Sequence, residues 1–133
     1  MQTNAYPYDR PGFEVVLLPG VPRIVSTARR MLHDLLGEDH PVLDEAQICQ
    51  SELITNALRY SDSGGEGGQV RVEIEYDRSH TTVRVVDDGG SATFPQVTQA
   101  SDESGRGLAI VAALARAWGV RQVGRRTAVW FTI

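Results

Sequence analysis

The chain has 133 residues, with 13 basic and 17 acidic side chains, a formal net charge of −4, 41% hydrophobic residues and 23% charged ones. Those proportions suit one folded domain and exclude a disordered or fibrous chain, while the acidic balance argues against nonspecific nucleic-acid binding. All 13 basic residues are arginine, and the absence of lysine excludes a P-loop, a protein-kinase fold and Schiff-base chemistry.

In chain order, Met1 to Arg10 is polar and aromatic, without the charged-then-apolar order of a leader, which predicts no secretory signal and a cytoplasmic protein. Residues 1–12 read as a tail and residues 13–133 as a single domain. Residues 13–18 form an apolar strand stopped by Pro19-Gly20. Val21, Val25, Ala28, Leu32 and Leu35 recur at helical spacing and end at Gly37. A second helix is predicted over residues 41–60, with Val42, Ala46, Cys49, Leu53 and Ala57 on its apolar stripe. Cys49 is the only cysteine, which excludes an internal disulfide, and its place on that stripe makes it a small core residue.

The glycine-rich residues 61–68 predict a flexible turn. Val70, Val72, Ile74 and Tyr76 alternate with Arg71, Glu73 and Glu75, as in a strand with one wet face. Residues 77–80 turn into a second strand over residues 82–87. Residues 89–105 lack periodicity, and an irregular loop of that length in so small a domain is a functional candidate. A helix is predicted over residues 107–118, followed by strands over 120–123 and 127–133. Its apolar run, Leu108 to Ala115, is far too short to span a membrane. The elements do not alternate strictly, so helices packed on one face of a mixed, mostly antiparallel sheet is the expected architecture. His33, His40 and His80 show no ligand spacing.

Three segments could carry chemistry. Glu52, Asn56 and Arg59 fall on one helical face, where a carboxylate, an amide oxygen and a guanidinium suit a hydrated Mg²⁺ and a triphosphate. A solvated helix surface has the same pattern. Val85-Val86-Asp87-Asp88-Gly89-Gly90 runs from a strand into a glycine turn; an acid there can accept a hydrogen bond from an exocyclic amine, and a simple turn would look alike. Ser104-Gly105-Arg106-Gly107-Leu108 opens a helix, where exposed N–H groups and the helix dipole favour an anion, although a glycine hinge would serve a core helix equally.

The order and spacing of the three segments resemble the GHKL superfamily of ATP-binding domains (gyrase, heat-shock chaperone, histidine kinase, MutL). Glu52-x-x-x-Asn56-Ala57 looks like its N box, Asp87-x-Gly89 its first glycine box, and Gly105-x-Gly107-Leu108-x-Ile110-Val111 its second. Thr127 falls where the family's adenine-side threonine sits. Within the superfamily, Ser51-Glu52-Leu53-Ile54-Thr55-Asn56-Ala57 and Gly105-Arg106-Gly107-Leu108 are most similar to the anti-sigma factor serine/threonine kinases. The resemblance covers roughly residues 13 to 133 and implies an α/β two-layer sandwich, the Bergerat ATP-binding fold, with an ATP lid at about residues 90–104.

What the resemblance implies for the site is specific. Asn56 would coordinate Mg²⁺, and Glu52 would be the catalytic base. Asp87 would bind the adenine amino group, with Gly89 against the ring and Thr127 assisting through water. Arg59 would lie near phosphate, and Gly105, Arg106, Gly107 and Leu108 would cradle the β and γ groups. The implied function is an ATP–Mg²⁺-binding regulator that phosphorylates a serine or threonine of an anti-sigma factor antagonist, with a sigma factor as second partner and a homodimer as assembly. Nucleic acid and membrane are not among its expected partners. Two rival readings are a nucleotide-dependent protein-binding module without phosphotransfer and the catalytic half of a split histidine kinase. The chain departs from the family pattern at Tyr60, Ser91 and Arg125-Arg126.

Overall fold

Strand alternation and two long amphipathic helices determine how the layers form. The computed structural model describes residues 11–90 and 103–133, with only the backbone of residues 103–105. The expected tail up to residue 10 and the lid from residue 91 to 102, Ser91 included, lie outside the described residues. Five strands, β1 (Gly12–Pro19), β2 (Gln69–Tyr76), β3 (Thr81–Val86), β4 (Ala117–Val123) and β5 (Arg126–Thr132), form one sheet in the order β1-β2-β3-β5-β4. Every neighbouring pair in it is antiparallel, so the sheet is more uniform than the mixed one expected.

The register puts Leu18 opposite Val70, Val72 opposite Val85, and Val85 opposite Val129, so apolar residues from four strands share one face. Helices α1 (Ile24–Leu36), α2 (Leu43–Tyr60) and α3 (Glu103–Leu114) cover that face, with α2 between the other two. In α1 the buried residues Ile24, Ala28, Leu32 and Leu36 recur every fourth position, a stripe that meets α2. In α2 the buried stripe is Leu43, Ala46, Cys49, Gln50, Leu53, Ile54 and Ala57. Leu32, Leu36, Ile54 and Phe131 are fully buried, each worth about 1.5–3 kcal/mol of transfer free energy.

The other sheet face carries Arg71, Glu73, Glu75 and Arg84, joined by ion pairs of 3.0 Å between Arg71 and Glu73 and 3.5 Å from Arg84 to each glutamate. Those pairs are only partly shielded from solvent, so each contributes little to stability. No helix among the described residues is long and apolar enough to cross a membrane.

Two expectations need correction. Helix α3 starts at Glu103 and ends at Leu114, so Gly105 and Gly107 lie inside it rather than in a turn before it. Trp118 belongs to β4, opposite Phe131, rather than to the helix. The turn over residues 61–68 is also more ordered than its glycine content suggests. It contains a 3-10 turn at Asp62–Gly64, and the Ser61 hydroxyl accepts a hydrogen bond from Ser63 N at 3.1 Å while donating to Ala57 O at 2.6 Å.

Candidate functional site

Helix α2 presents Glu52 and Asn56, one turn apart and both half-buried, toward the N-terminal part of α3. A Cβ on Gly107 would stand 3.0 Å from Glu52 Oε2 and 3.1 Å and 3.4 Å from Asn56 Nδ2 and Oδ1. Glycine therefore lets α3 pack directly against the carboxylate and amide of α2, where any side chain would press on both. Arg59 continues the same face of α2 one turn on and is exposed, as is Arg106. Leu108 is fully buried, so its side chain serves the core and only its backbone can face a ligand. Among the described residues no cluster of three or more His, Cys, Asp or Glu could hold a metal ion by itself. An oxygen ligand for a cation would come from Asn56, a hard donor of the kind that Mg²⁺ takes while keeping several waters.

The second part of the site lies where β3 ends. Asp87 is 9% exposed, and its Oδ1 accepts hydrogen bonds from Gly89 N at 2.7 Å and Thr127 N at 3.2 Å. Asp87 N in turn donates to Thr127 O at 3.0 Å, so the start of β5 grips the acid from both sides. Both of these backbone N–H groups fall on Oδ1. Burial pushes the Asp87 carboxyl above its ordinary value; the two backbone N–H groups oppose that shift, and the nearby Asp88 and Asp62 add to it. Gly89 has φ +85°, and a Cβ there would lie 1.9 Å from Arg125 O, so no side chain fits between this turn and the β4–β5 hairpin.

The structure thus assembles two groups that the sequence placed far apart. Glu52, Asn56 and Gly107 meet at the α2–α3 contact, while Asp87, Gly89 and Thr127 meet at the β3–β5 contact. The sequence did not point to Asp62 and Ser63, which join the two groups. Asp62 N donates to Gly89 O at 2.8 Å, and Asp88 N donates to the Ser63 hydroxyl at 2.9 Å. The Ser61-Asp62-Ser63 run was the available signal, because serines in such a spacing favour local side-chain turns.

Cys49 is buried with its thiol pushed up to about 11, by burial first and then by Glu45 and Glu52, which suits a core residue and not a nucleophile. His40 is also structural: buried, it donates from Nε2 to Asp77 O at 2.8 Å and accepts from Val42 N at 3.3 Å.

Residues 18–133 match the family described as the histidine kinase-like ATPase domain. The chain belongs to that family. Within this ATPase-domain family, it is 32% identical over 77 residues to the serine-protein kinase RsbW of Listeria innocua, a match covering 56% of this chain and 49% of that protein. The serine-protein kinase RsbW of Oceanobacillus iheyensis is 24% identical over 85 residues, covering 62% of this chain and 54% of its own length. The chain spans about half the length of the curated relatives it matches. A crystal structure of the RsbU and RsbW domains of Rv1364c from Mycobacterium tuberculosis superposes with a TM-score of 0.66 at 17% identity, over 91% of this chain and 31% of that one. That likeness shows the fold alone, the α/β layer pair that the sequence led us to expect.

Proposed function

We propose that this ATPase-family domain binds Mg²⁺ and ATP and transfers phosphate to a serine or threonine of a small antagonist protein, as a regulator of the anti-sigma type. The observation that carries the reading is the close approach of Gly107 to Glu52 and Asn56, which brings a carboxylate, an amide and the N-terminal half of α3 together. The residues present fit the nucleotide in kind. A buried acid that accepts two backbone N–H groups on Oδ1 suits an exocyclic amine at its other oxygen, and Gly105 and Gly107 keep side chains off the α3 backbone. Mg·ATP would supply the transferable phosphoryl group and the charge neutralisation that a lysine-free site needs from elsewhere.

In this reading each residue has one task. Asp87 holds the base through Oδ2, Gly89 lies flat against the ring, and Thr127 keeps Asp87 oriented through its backbone. Asn56 holds the cation through Oδ1, and the backbone of Gly105 to Leu108 surrounds the terminal phosphates with Arg59 and Arg106 nearby. Glu52 accepts the proton of the attacking hydroxyl, the task of a general base within hydrogen-bond reach. The protein works in the cytoplasm as a homodimer and holds a sigma factor when the antagonist is modified.

Mass spectrometry of the antagonist after incubation with ATP tests the reaction: a new phosphoserine or phosphothreonine supports it. Transfer should be lost in Glu52→Ala while ATP binding persists; transfer at the normal rate in that variant refutes the base. ATP binding without any transfer by the unmodified protein would instead support a nucleotide-dependent binding module. An acid-labile phosphohistidine on the partner would support the split histidine kinase.

A further inference from the structure

The 3-10 turn after α2 ties the two parts of the site together through a backbone N–H and one fully buried hydroxyl. Ser63 is 0% exposed. Its Oγ accepts the hydrogen bond of Asp88 N at 2.9 Å, directly between Asp87 and Gly89 in the chain. Asp62 N holds Gly89 O at 2.8 Å from the same turn, and Asp88 Oδ2 accepts from Gln69 N at 2.7 Å. The loop bearing Asp87 is therefore held on one side by β5 and on the other by this turn.

The turn itself cannot drift. A Cβ at Gly20 would lie 1.5 Å from Ser63 O, and one at Gly68 would lie 2.1 Å from it, so the backbone of two other segments presses on this carbonyl. Gly20 N also donates to Gly68 O at 2.8 Å, which closes those segments over the turn. On its other side the turn follows α2 directly through the Ser61 hydroxyl bond to Ala57 O, one residue beyond Asn56. The Ser63 hydroxyl thereby fixes the Asp87 loop relative to the helix that carries Glu52 and Asn56.

We propose that Ser63 is a positioning residue for base selection: it holds the Asp87 loop so that Oδ2 reads the 6-amino group of adenine while the phosphates rest against α2 and α3. This rests on the nucleotide reading given above. Removing the hydroxyl leaves Asp88 N–H without its acceptor and loosens the loop on that side, where the turn keeps only the bond from Asp62 N to Gly89 O. The lost hydrogen bond translates into about a tenfold change in affinity, confined to ligands that use the base.

The test is calorimetric titration of the full chain with ATP, with inosine triphosphate (a 6-oxo purine) and with inorganic tripolyphosphate, all with Mg²⁺. Ser63→Ala should lower ATP affinity about tenfold and leave the other two within about twofold, so that the preference for ATP over inosine triphosphate collapses. Parallel loss of all three ligands, or an undiminished ATP preference, overturns the positioning role. If Ser63→Ala does not fold, Ser63→Cys reads the same ratio, since its thiol is close in size and a far weaker acceptor. A Cys variant with the full ATP preference overturns the proposal too. Absence of binding by the unmodified protein overturns the nucleotide reading itself, and the positioning role with it.

Discussion

Substituting alanine for Gly107 should raise stability while weakening nucleotide binding. The residue lies within α3, where alanine is favoured over glycine by about 1 kcal/mol. The added methyl would meet Glu52 Oε2 at 3.0 Å and the Asn56 amide at 3.1 Å and 3.4 Å. Each is the end of a side chain rather than backbone, and a displacement of a few tenths of an ångström relieves the contact. That adjustment consumes part of the helix gain, so Gly107→Ala should be more stable by up to about 1 kcal/mol, a melting temperature higher by roughly 1–4 °C. Binding moves the other way. The methyl turns aside the amide that would hold the cation and the carboxylate that would act as base, so ATP affinity with Mg²⁺ should fall by about tenfold or more, at least ~1.4 kcal/mol. Differential scanning calorimetry and ATP titration on the same preparation measure both. Unchanged ATP affinity would refute the placement of the phosphates at α3, and a melting temperature lower by more than about 5 °C would refute the packing argument.

The pH dependence of Asp87 has two opposite consequences. Its folded-state pKa is raised, chiefly by burial, so the folded chain holds the proton more tightly than the unfolded one. Its ionisation therefore weakens the fold as pH rises through the folded value, a penalty absent below the ordinary carboxylate range. ATP affinity needs the ionised acid and should fall on acidification, beginning above that ordinary range. Asp87→Asn should abolish both pH steps together with the ATP preference, measured by urea unfolding and by titration across pH 4 to 8; an Asn variant that keeps either step would contradict the assignment. Gln50 offers a test of the core. It is fully buried, and neither Nε2 nor Oε1 has a partner among the described residues. Gln50→Met, similar in volume, should stabilise the fold by about 1–2 kcal/mol in urea unfolding, and a loss of stability would show that the amide is paired.

Much of this fold was legible because its periodicities are simple. The alternation of Val70, Val72 and Ile74 with charged residues required a strand with one wet face, and the register of β2 puts those residues on the core side. The recurrence of Ala28 and Leu32 likewise required a helix with a buried stripe, although that stripe continues through Ile24 and Leu36 rather than the expected Val21, Val25 and Leu35. The start of α3 was misread because glycine disfavours helix interiors, whereas here Gly107 is the residue that lets α3 approach Glu52 and Asn56. Trp118 was misread because an apolar stretch after a helix has no period of its own, and its pairing with Phe131 comes from a strand farther along the chain.

Spacing also brought out Glu52 with Asn56, and Asp87 with Gly89. The role of the turn at Ser61 to Ser63 was hidden for a different reason. Its decisive bond reaches Asp88, 25 residues away, and nothing in a run of serine and glycine announces a distant partner. The backbone grip of Thr127 on Asp87, 40 residues apart, was hidden in the same way.

The most direct test of the central claim is calorimetric titration of ATP into the protein with and without Mg²⁺, alongside Asn56→Ala. The account predicts metal-dependent binding in the unmodified protein and its loss in a variant that melts at the same temperature. Binding that ignores the metal, or that survives in Asn56→Ala, would contradict it.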